Sequence, residues 1–502
     1  MEGNSSKTKS SIIGLIWMFF GNSFNVFSQL LILGILARLL TPEDFGVIGI
    51  ILIFVNFSNI FTQMGIGTAL VQLKTITEQH ISQSYTLSII LGILIGVLFY
   101  FLAPYIGTFF NLTDLEGPIR FFSFLFPFKS FNGISTSILQ RKLRFPAIVK
   151  TNTISYLLGY GLTSITLAFL GYGLWSLIYG QLAILIVETV MLWYYQKPSF
   201  SIISNKSILK ELMVFGSGYT LDTNFNFFAE NSDNIIVGKV LGAASLGIYS
   251  RAFQFLALPA SFFGKIYDKV LFPVLSNKQD DKAKLTSFYI FSISFCLIIL
   301  FPISIILLFN AELIVRVLLG DQWLDVIEPF QVLIIGFAFR FGTRINKSFL
   351  KSLGLVYHGA LYQFIFAVLM ISSCLMGVYL FGLVGVALGV LFATVMNYLQ
   401  VSFRIQKLLD FKYKYFLMLH ANAFINFLPI VIVVTLTLFF GYGSIANSII
   451  ISIAVILPLL LIPVKNKKSI FYDAHNSLMF NQFVNNSPGI VKRFARKLNL
   501  VK

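Results

Sequence analysis

The sequence predicts an all-α polytopic membrane protein, with about fourteen transmembrane helices in two parallel six-helix bundles around a central cavity, plus a C-terminal hairpin. Three observations lead to this fold class. Of the 502 residues, 57% are hydrophobic and 11% are charged, whereas soluble domains carry about 25% charged residues. The apolar residues occur in runs long enough to cross a bilayer, and the two halves of the chain repeat each other. Lipid must therefore be the solvent for most of this chain.

Six apolar runs occupy the first half of the chain. A helix needs about 20 mostly apolar residues to cross a hydrocarbon core about 30 Å thick, and helices are expected because they satisfy their own backbone hydrogen bonds in lipid. Span four contains Lys129, and span six contains a lone Glu188. We expect residues 1–205 to form the N-terminal six-helix bundle, from spans 11–37, 45–71, 84–110, 121–140, 151–170 and 173–195.

Six more runs fill residues 206–410, which we expect to form the C-terminal six-helix bundle. Two further runs in residues 411–465 predict an extra two-helix hairpin. Residues 466–502 predict a basic cytoplasmic tail, whose end has the pattern of a helix lying on an anionic leaflet or of a frayed segment. These eight spans are 212–238, 246–275, 286–309, 326–350, 358–380, 382–403, 415–440 and 444–464.

The basic residues predict the orientation of the spans. Of the 37 Lys and Arg residues, 26 fall in the two tails and the even-numbered loops, and four fall on the opposite side. Lys and Arg are enriched in cytoplasmic loops, so both termini should be cytoplasmic, and this bias accounts for the net charge of +17. Because no loop between spans exceeds roughly 16 residues, there is no room for a soluble catalytic domain, and we do not expect an enzyme.

The two halves of the chain resemble each other segment by segment. The alignments are 38–46 with 239–247 at an offset of 201 residues, 126–139 with 337–350 at an offset of 211, and Gly173-Leu174 with Gly382-Leu383 at an offset of 209. Six spans separate the copies, so both halves cross the membrane in the same direction, related by a pseudo-two-fold axis along its normal. Transporters built from such parallel repeats bind substrate between the halves and alternate access by rocking.

Four cations inside predicted spans are the candidate substrate-binding residues. An ionisable group at mid-bilayer costs at least about 2.5–3.5 kcal/mol, so it should face protein or water. Arg340, Arg344 and Lys347 are spaced to share one face of span ten, and Lys129 of span four aligns with Arg340. The planar fork of arginine suits phosphate. The sequence favours a cationic cavity for an anionic substrate group; the alternatives are internal pairing that only joins helices, or an interfacial position.

Three carboxylates in span seven, Asp222, Glu230 and Asp233, are also spaced to share one helical face. They would balance the cations or carry a coupling proton, with internal pairing again as the alternative. The sequence contains no Walker A motif and no His-Glu-x-x-His motif, so we expect neither an ATP site of that type nor a metal, and no other cofactor. Transport would be driven by an ion gradient or by consumption of the product.

Several ordered motifs identify a family resemblance. LARLLTPEDFGVIGI followed by MGIGTALVQ resembles the amino-terminal signature of Wzx-type, colanic-acid-exporter-like flippases of the MOP superfamily. ILQRKLRFPAI, GYGLWSLIYGQL, GKVLGAASLGIYSRAFQFLALP and VLFPVLS are similar to the same pattern in the same order. The resemblance covers roughly residues 10–290 well, and the remainder by topology only. Within the first motif, Arg38 and Gly46 are expected to shape a tight connection between helices rather than to touch substrate.

The resemblance implies two six-helix bundles around a central cavity. It implies a flippase that translocates polyprenyl-pyrophosphate-linked oligosaccharide repeat units across the bacterial inner membrane by alternating access, for surface polysaccharide biosynthesis. The implied partners are this substrate, membrane lipids and the polysaccharide polymerase machinery, without nucleic acid. One alternative is a multidrug or peptidoglycan-precursor exporter of the same superfamily, although drug exporters usually need an acidic cavity. A membrane polysaccharide polymerase is a further alternative, which should show a long periplasmic loop.

Overall fold

The computed structural model describes residues 24–200, 206–256, 282–352 and 356–414, together with Gly21 and scattered positions between 416 and 435. All regular secondary structure in these residues is helical. The chain divides into two compact units. The first comprises Met1–Ala252, Leu318–Val326 and Gln363–Val386, and the second comprises Phe253–Val317, Ile327–Tyr362 and Ala387–Lys502.

Sixteen helices are described in these parts of the chain. They are α1 Phe24–Leu39, α2 Pro42–Gln63, α3 Ile66–Gln72, α4 Glu78–Phe110, α5 Glu116–Ser123, α6 Phe126–Arg141, α7 Phe145–Ile154, α8 Thr163–Phe169, α9 Leu174–Tyr195, α10 Lys206–Val240, α11 242–256, α12 Lys282–Phe309, α13 Ala311–Leu318, α14 Ile327–Ile335, α15 Phe337–Ser352 and α16 Val356–Leu409. A π-helical segment, Ser155–Leu162, joins α7 to α8, and short 3₁₀ turns cover Thr113–Leu115 and Asp321–Val326.

Several of these helices are long and apolar enough to cross a membrane. Five segments within the described residues meet both criteria: Pro42–Thr62, Glu78–Phe110, Leu174–Tyr195, Phe288–Phe309 and Leu361–Leu409. The last has 49 residues, and it is interrupted at Phe381 and Gly382, whose backbone angles are not helical. The protein is therefore a multi-pass membrane protein, and it is helical throughout the regular secondary structure of the described residues. Beyond residue 435, the predicted hairpin and the predicted tail lie outside the described residues.

Helix α4 has one exposed apolar face and one face packed against other helices. One face exposes large apolar side chains, and the other buries small ones at helical spacing: Ser88, Gly92 and Gly96. A Cβ on Gly92 would lie 2.6 Å from the Ser130 hydroxyl oxygen of α6. Small residues allow membrane helices to approach closely, so this stripe places α6 directly against α4. The exposed residues are Ile93, Leu94, Val97, Leu98 and Phe101.

Some predicted spans are each formed from two helices. The predicted span 121–140 begins in α5 and continues in α6, and the predicted span 326–350 consists of α14 and α15. Pro127 lies in the first turn of α6, where a missing N–H costs nothing, whereas inside a longer helix it would remove a hydrogen bond. Gly336 separates α14 from α15, and glycine is a weak helix former.

The TPED segment of the first motif begins α2. The Asp44 backbone N–H donates to the Thr41 hydroxyl at 3.3 Å, and the Thr41 backbone N–H donates to the Asp44 carboxylate at 2.9 Å. Pro42 follows in the first turn of the helix. This capping box satisfies two donors that a helix start leaves without partners, and it fixes where α2 begins.

The segment Leu318–Val326 packs against the start of the chain within the first unit. Trp323 is fully buried, its ring meets Phe45 edge-on at 5.4 Å, and its indole N–H donates to the carbonyl of Ala37 at 2.7 Å. Gln322 donates to the same carbonyl. Because the last carbonyls of a helix lack partners within that helix, these two side chains complete the end of α1.

Repeated local structure supports the internal duplication. Helices α6 and α15 both contain 16 residues, and both their first and last residues are related by the offset of 211. Tyr85 and Ser135 hydrogen-bond at 2.9 Å, and Tyr289 donates to Asn346, which aligns with Ser135, at 2.8 Å. Gly173 has φ 51° and ψ −131°, and Gly382 has φ 56° and ψ −131°.

A reciprocal contact joins the two repeats inside the first unit. Gly46 of α2 lies against the carbonyl oxygen of Ala243, and Gly247 of α11 lies against the carbonyl oxygen of Pro42, with no room for a Cβ at either glycine. Positions 42 and 46 become positions 243 and 247 when the offset of 201 is added. Each repeat therefore contributes the same two positions to the crossing. Gly46 therefore lies inside a helix crossing rather than in the connection between helices that we expected from the sequence.

Candidate functional site

Lys129 is half-buried on α6, and its charged neighbour is Glu188 of α9. The Lys129 ammonium and the Glu188 carboxylate attract each other electrostatically, and both residues are partly shielded from solvent. The sequence placed Lys129 among the candidate binding residues but assigned no role to Glu188. The signal available in the sequence was a lone carboxylate in an otherwise apolar span, because such a charge needs a partner, but the sequence does not say which partner.

Two uncharged residues join the helices that carry these two charges. The Thr189 hydroxyl of α9 donates to the side-chain oxygen of Asn132 on α6 at 3.0 Å. Asn132 is 4% exposed. Lys129 and Asn132 are three residues apart and therefore share a face of α6. This hydrogen bond joins α6 to α9 beside Lys129 and Glu188 in the chain.

The other three predicted cations share α15 in the second unit. Arg340, Arg344 and Lys347 are each half-buried, on a helix whose remaining surface buries Phe337, Phe341, Ile345 and Phe349. The Arg340 guanidinium lies over the ring of Phe253, 4.4 Å from its centroid. A guanidinium stacked on an aromatic ring keeps its planar edge available for an anion. The predicted cationic face of this helix is therefore present.

The predicted carboxylates of α10 have different environments. Asp233 is 1% exposed, and its oxygens accept hydrogen bonds from the Tyr249 hydroxyl at 2.8 Å and from the Asn234 backbone N–H at 2.8 Å. Glu230 is exposed on the same helix. The side chain of Asp222 lies outside the described part of the chain. Asp233 consequently anchors α10 to α11 of the first unit.

A further buried cation, Arg251, was not among the predicted site residues. Its guanidinium lies 4.7 Å from the centroid of the Phe45 ring and interacts electrostatically with Tyr156 and Tyr160. Both tyrosines belong to the π-helical segment, and such segments often occur at functional sites. In the sequence Arg251 falls at the start of a weak span, and its partners are more than 90 residues away in the chain, so composition alone could not identify this cluster.

The structure therefore brings the predicted residues together in two groups. Lys129 belongs to the first unit, as do Asp222, Glu230 and Asp233, whereas Arg340, Arg344 and Lys347 share one helix of the second unit. The charged partner described for Lys129 is Glu188 of α9. In the described ranges, no cluster of three or more His, Cys, Asp or Glu side chains is arranged to hold a metal ion.

Comparison with known protein families identifies the relatives of this chain. A family model described as "Polysaccharide biosynthesis protein" matches residues 35–328, more than half of the sequence. An "Uncharacterized membrane protein in cps region" of Klebsiella pneumoniae is 28% identical over 377 residues, which cover 74% of this chain and 77% of that protein.

Other relatives also have names connected with surface glycans. The "Lipopolysaccharide biosynthesis protein WzxC" of Escherichia coli strain K12 is 25% identical, over 78% of this chain and 80% of that protein. The "Succinoglycan biosynthesis transport protein ExoT" of Rhizobium meliloti is 27% identical, over 58% of each chain. These matches confirm the resemblance that the sequence motifs indicated.

The fold is similar to that of solved transporters. A structure titled "Lipid II flippase MurJ, inward closed conformation" superposes with a TM-score of 0.73, covering 90% of this chain and 98% of that chain at 19% identity. At this identity the similarity concerns the fold alone.

Proposed function

Because the chain belongs to the family of polysaccharide biosynthesis proteins, we propose that it is a flippase for the lipid-linked repeat units of a surface polysaccharide. It translocates polyprenyl-pyrophosphate-linked oligosaccharides across the inner membrane by alternating access. The relatives named for lipopolysaccharide biosynthesis and succinoglycan transport support this substrate class. The multi-pass helical architecture supports transport rather than chemistry in water, and we propose no enzymatic activity.

The observation that carries the proposal is the cationic face of α15. Arg340, Arg344 and Lys347 are half-buried on a helix that also buries Phe337, Phe341, Ile345 and Phe349, and the aligned position of α6 is Lys129. Burial of positive charge in a membrane protein is costly, and a pyrophosphate is a ligand that arginine and lysine bind well. We assign these four cations to the substrate headgroup, and Asp222, Glu230 and Asp233 to charge balance or proton coupling.

The detailed architecture belongs to the same proposal. We place fourteen spans in two six-helix bundles around a central cavity, with bundles in residues 1–205 and 206–410, a hairpin in 411–465 and a tail in 466–502. Both termini are cytoplasmic, as the Lys and Arg distribution indicates. The substrate would pass to polysaccharide polymerase machinery after translocation.

A double substitution on α15 tests the function. Arg340→Ala with Arg344→Ala removes two of the three cations, and we expect surface polysaccharide to fall at least about tenfold, because each charge-assisted hydrogen bond to a phosphate contributes roughly 1.5–3 kcal/mol. The measurement is surface glycan in cells whose own gene is replaced by the variant, with the membrane level of the protein quantified alongside.

The matched control is Arg316→Ala. Arg316 is an exposed arginine of α13, 2.9 Å from Glu312, and its loss should leave export unchanged. Normal export from the double variant, present at the wild-type level, would refute the assignment of the α15 cations to substrate.

A second candidate function is export of a peptidoglycan precursor or of drugs. The fold similarity to the lipid II flippase structure favours it as the runner-up. The cationic rather than acidic face of α15 disfavours cationic drugs as substrates.

A further inference from the structure

We propose that helices α2 and α10 form a subsite for the sugar rings of the lipid-linked repeat unit. Phe57, Phe227 and Phe228 stack against the rings, and Asn56 and Asn59 bind their hydroxyl groups. The subsite rests on the proposed function, because it assumes an oligosaccharide substrate, but it uses none of the cations assigned to the pyrophosphate. Both helices belong to the first unit, α2 from the first repeat and α10 from the second.

An aromatic patch forms where the two helices pack together. The ring centroid of Phe57 lies 5.2 Å from that of Phe227 and 5.7 Å from that of Phe228, and the rings of Phe227 and Phe228 are 5.9 Å apart. These rings touch one another without being enclosed, because Phe57 and Phe227 are half-buried and Phe228 is 42% exposed. The contact between α2 and α10 therefore presents aromatic surface on which a ligand can stack.

Helix α2 carries two amide side chains next to this patch in the chain. Of residues 44–62, Asn56 is the one exposed residue, and Asn59 lies on the same side of the helix. The side-chain oxygen of Asn59 is buried with no hydrogen-bond partner among the described residues, which is costly. Asn59 as a whole is half-buried, so rotation of its amide can bring this oxygen to a ligand. Since an amide both donates and accepts hydrogen bonds, it suits a sugar hydroxyl, which does the same.

Helix α10 indicates that this patch faces water rather than lipid. Within residues 226–239, Phe228 and Glu230 are the exposed residues, and a charged side chain that faces lipid tails is costly. Phe227 precedes Glu230 by three residues and therefore lies on the same side of α10.

A sugar ring has the chemistry that matches both features. Its C–H groups pack against an aromatic ring, and its hydroxyl groups need hydrogen-bond partners once they leave water. A lipid tail would make no use of the amides, and a phosphate would make no use of the phenylalanine rings. The combination of the two at one helix contact therefore favours the glycan as the occupant.

The experiment compares two probes on the purified full-length protein in lipid nanodiscs, by calorimetry at low salt. One probe is inorganic pyrophosphate, and the other is the oligosaccharide pyrophosphate cleaved from the lipid-linked repeat units of the strain that carries this gene. The wild type should bind the second probe at least about tenfold more tightly, because the sugar rings add contacts.

The variants then locate those contacts. Phe57→Leu combined with Phe227→Leu should weaken binding of the oligosaccharide pyrophosphate about tenfold, because leucine stays apolar but has no ring face. Asn59→Leu should weaken it about fivefold through the lost amide. Neither change should alter the affinity for inorganic pyrophosphate. Phe227→Tyr keeps the ring and should keep both affinities within about twofold of the wild type.

The matched control is Phe101→Leu, which removes a ring that is 67% exposed on α4 and should leave both affinities unchanged. Equal affinity of the wild type for the two probes would overturn the glycan subsite and leave the headgroup site standing. Loss of both affinities together in the double phenylalanine variant would also overturn it, because the rings would then only hold α2 and α10 together. Binding of neither probe by the wild type would refute the proposed function itself.

Discussion

Arg141 indicates the membrane orientation in the sequence and binds backbone carbonyls in the structure. Its guanidinium donates to the carbonyls of Leu70 at 2.7 Å, Leu73 at 2.6 Å and Lys74 at 3.2 Å. These carbonyls end α3 and begin the following turn, where a helix has no internal donors left. In the sequence Arg141 indicates only the cytoplasmic side of the membrane, because its partners lie about 70 residues earlier.

Replacing this arginine by lysine should destabilise the protein. Arg141→Lys keeps the charge but cannot reach several carbonyls with a planar fork, so we expect a loss of about 1–3 kcal/mol, seen as a lower melting temperature in detergent. The matched control is Arg144→Lys at an exposed position of the next turn, which should change little. Equal melting temperatures for the two variants would show that the carbonyl contacts contribute no stability.

Asp233 and Glu230 show that helical spacing does not fix the role of a charge. Both were predicted to lie on one face of α10, yet Asp233 is buried with hydrogen bonds from Tyr249 and Asn234, and Glu230 is exposed. A buried carboxylate with donors in place contributes to helix packing. Their assignment to charge balance or coupling stays a prediction, and Glu230 is the one that a coupling ion could reach without breaking these bonds.

At the scale of helices, α2 and α11 cross at glycines. Among the described glycines of the first unit, Gly46 and Gly247 leave the least room for a Cβ. Each glycine faces a carbonyl oxygen of the other helix. A methyl group at either position must push the two backbones apart, because the atoms it meets belong to main chain rather than to a side chain that can rotate.

We therefore expect Gly46→Ala and Gly247→Ala to destabilise the protein by similar amounts, about 1–3 kcal/mol each, because the two contacts are equivalent. The readout is the melting temperature of each purified variant in detergent. Gly117→Ala in α5 is the control, since a Cβ there meets nothing within 4 Å and alanine favours a helix. The equivalence fails if one variant melts as the control does while the other is unstable.

The length and apolarity of the runs predicted that these helices exist. They predicted less well where the helices end. Span 84–110 ends with α4, which begins six residues earlier, because uninterrupted apolar runs have few alternatives in lipid. Span 45–71 covers both α2 and α3, and the break between them at Met64 and Gly65 was not predicted. The division of span 121–140 was missed, since Pro127 in the interior of an apolar run can be either a kink or a helix start. Contacts made elsewhere in the chain decide between the two.

At the scale of the whole molecule, a strain lacking this gene separates the candidate functions. A flippase predicts loss of surface polysaccharide, with unpolymerised lipid-linked repeat units retained on the cytoplasmic leaflet of the inner membrane, because the pyrophosphate cannot cross lipid unaided. The measurement is the leaflet distribution of these units in membrane vesicles, with restoration by the wild-type gene as control.

Two other results would contradict the flippase. Unchanged glycan with altered drug tolerance would indicate the multidrug exporter. Repeat units that are translocated but remain unpolymerised would indicate a protein acting after the flip.

The candidate site was predictable in part, for a physical reason. Cations are visible in an apolar sequence because charge is rare there, and the repeat relates Lys129 to Arg340. Their partners were not predictable: Glu188 and Phe253 come from other helices, and only packing brings them within reach. The Arg251 cluster was missed on the same grounds.

The reciprocal glycine crossing has a consequence for the origin of the chain. A patch in which position 46 of one copy meets position 42 of the other, and the reverse, is self-complementary, which is the property of the interface in a symmetric homodimer. A single ancestral repeat carrying both positions could pair with an identical molecule through this patch. Gene fusion would then have preserved an existing contact, and the later divergence of the two copies became free to proceed around it.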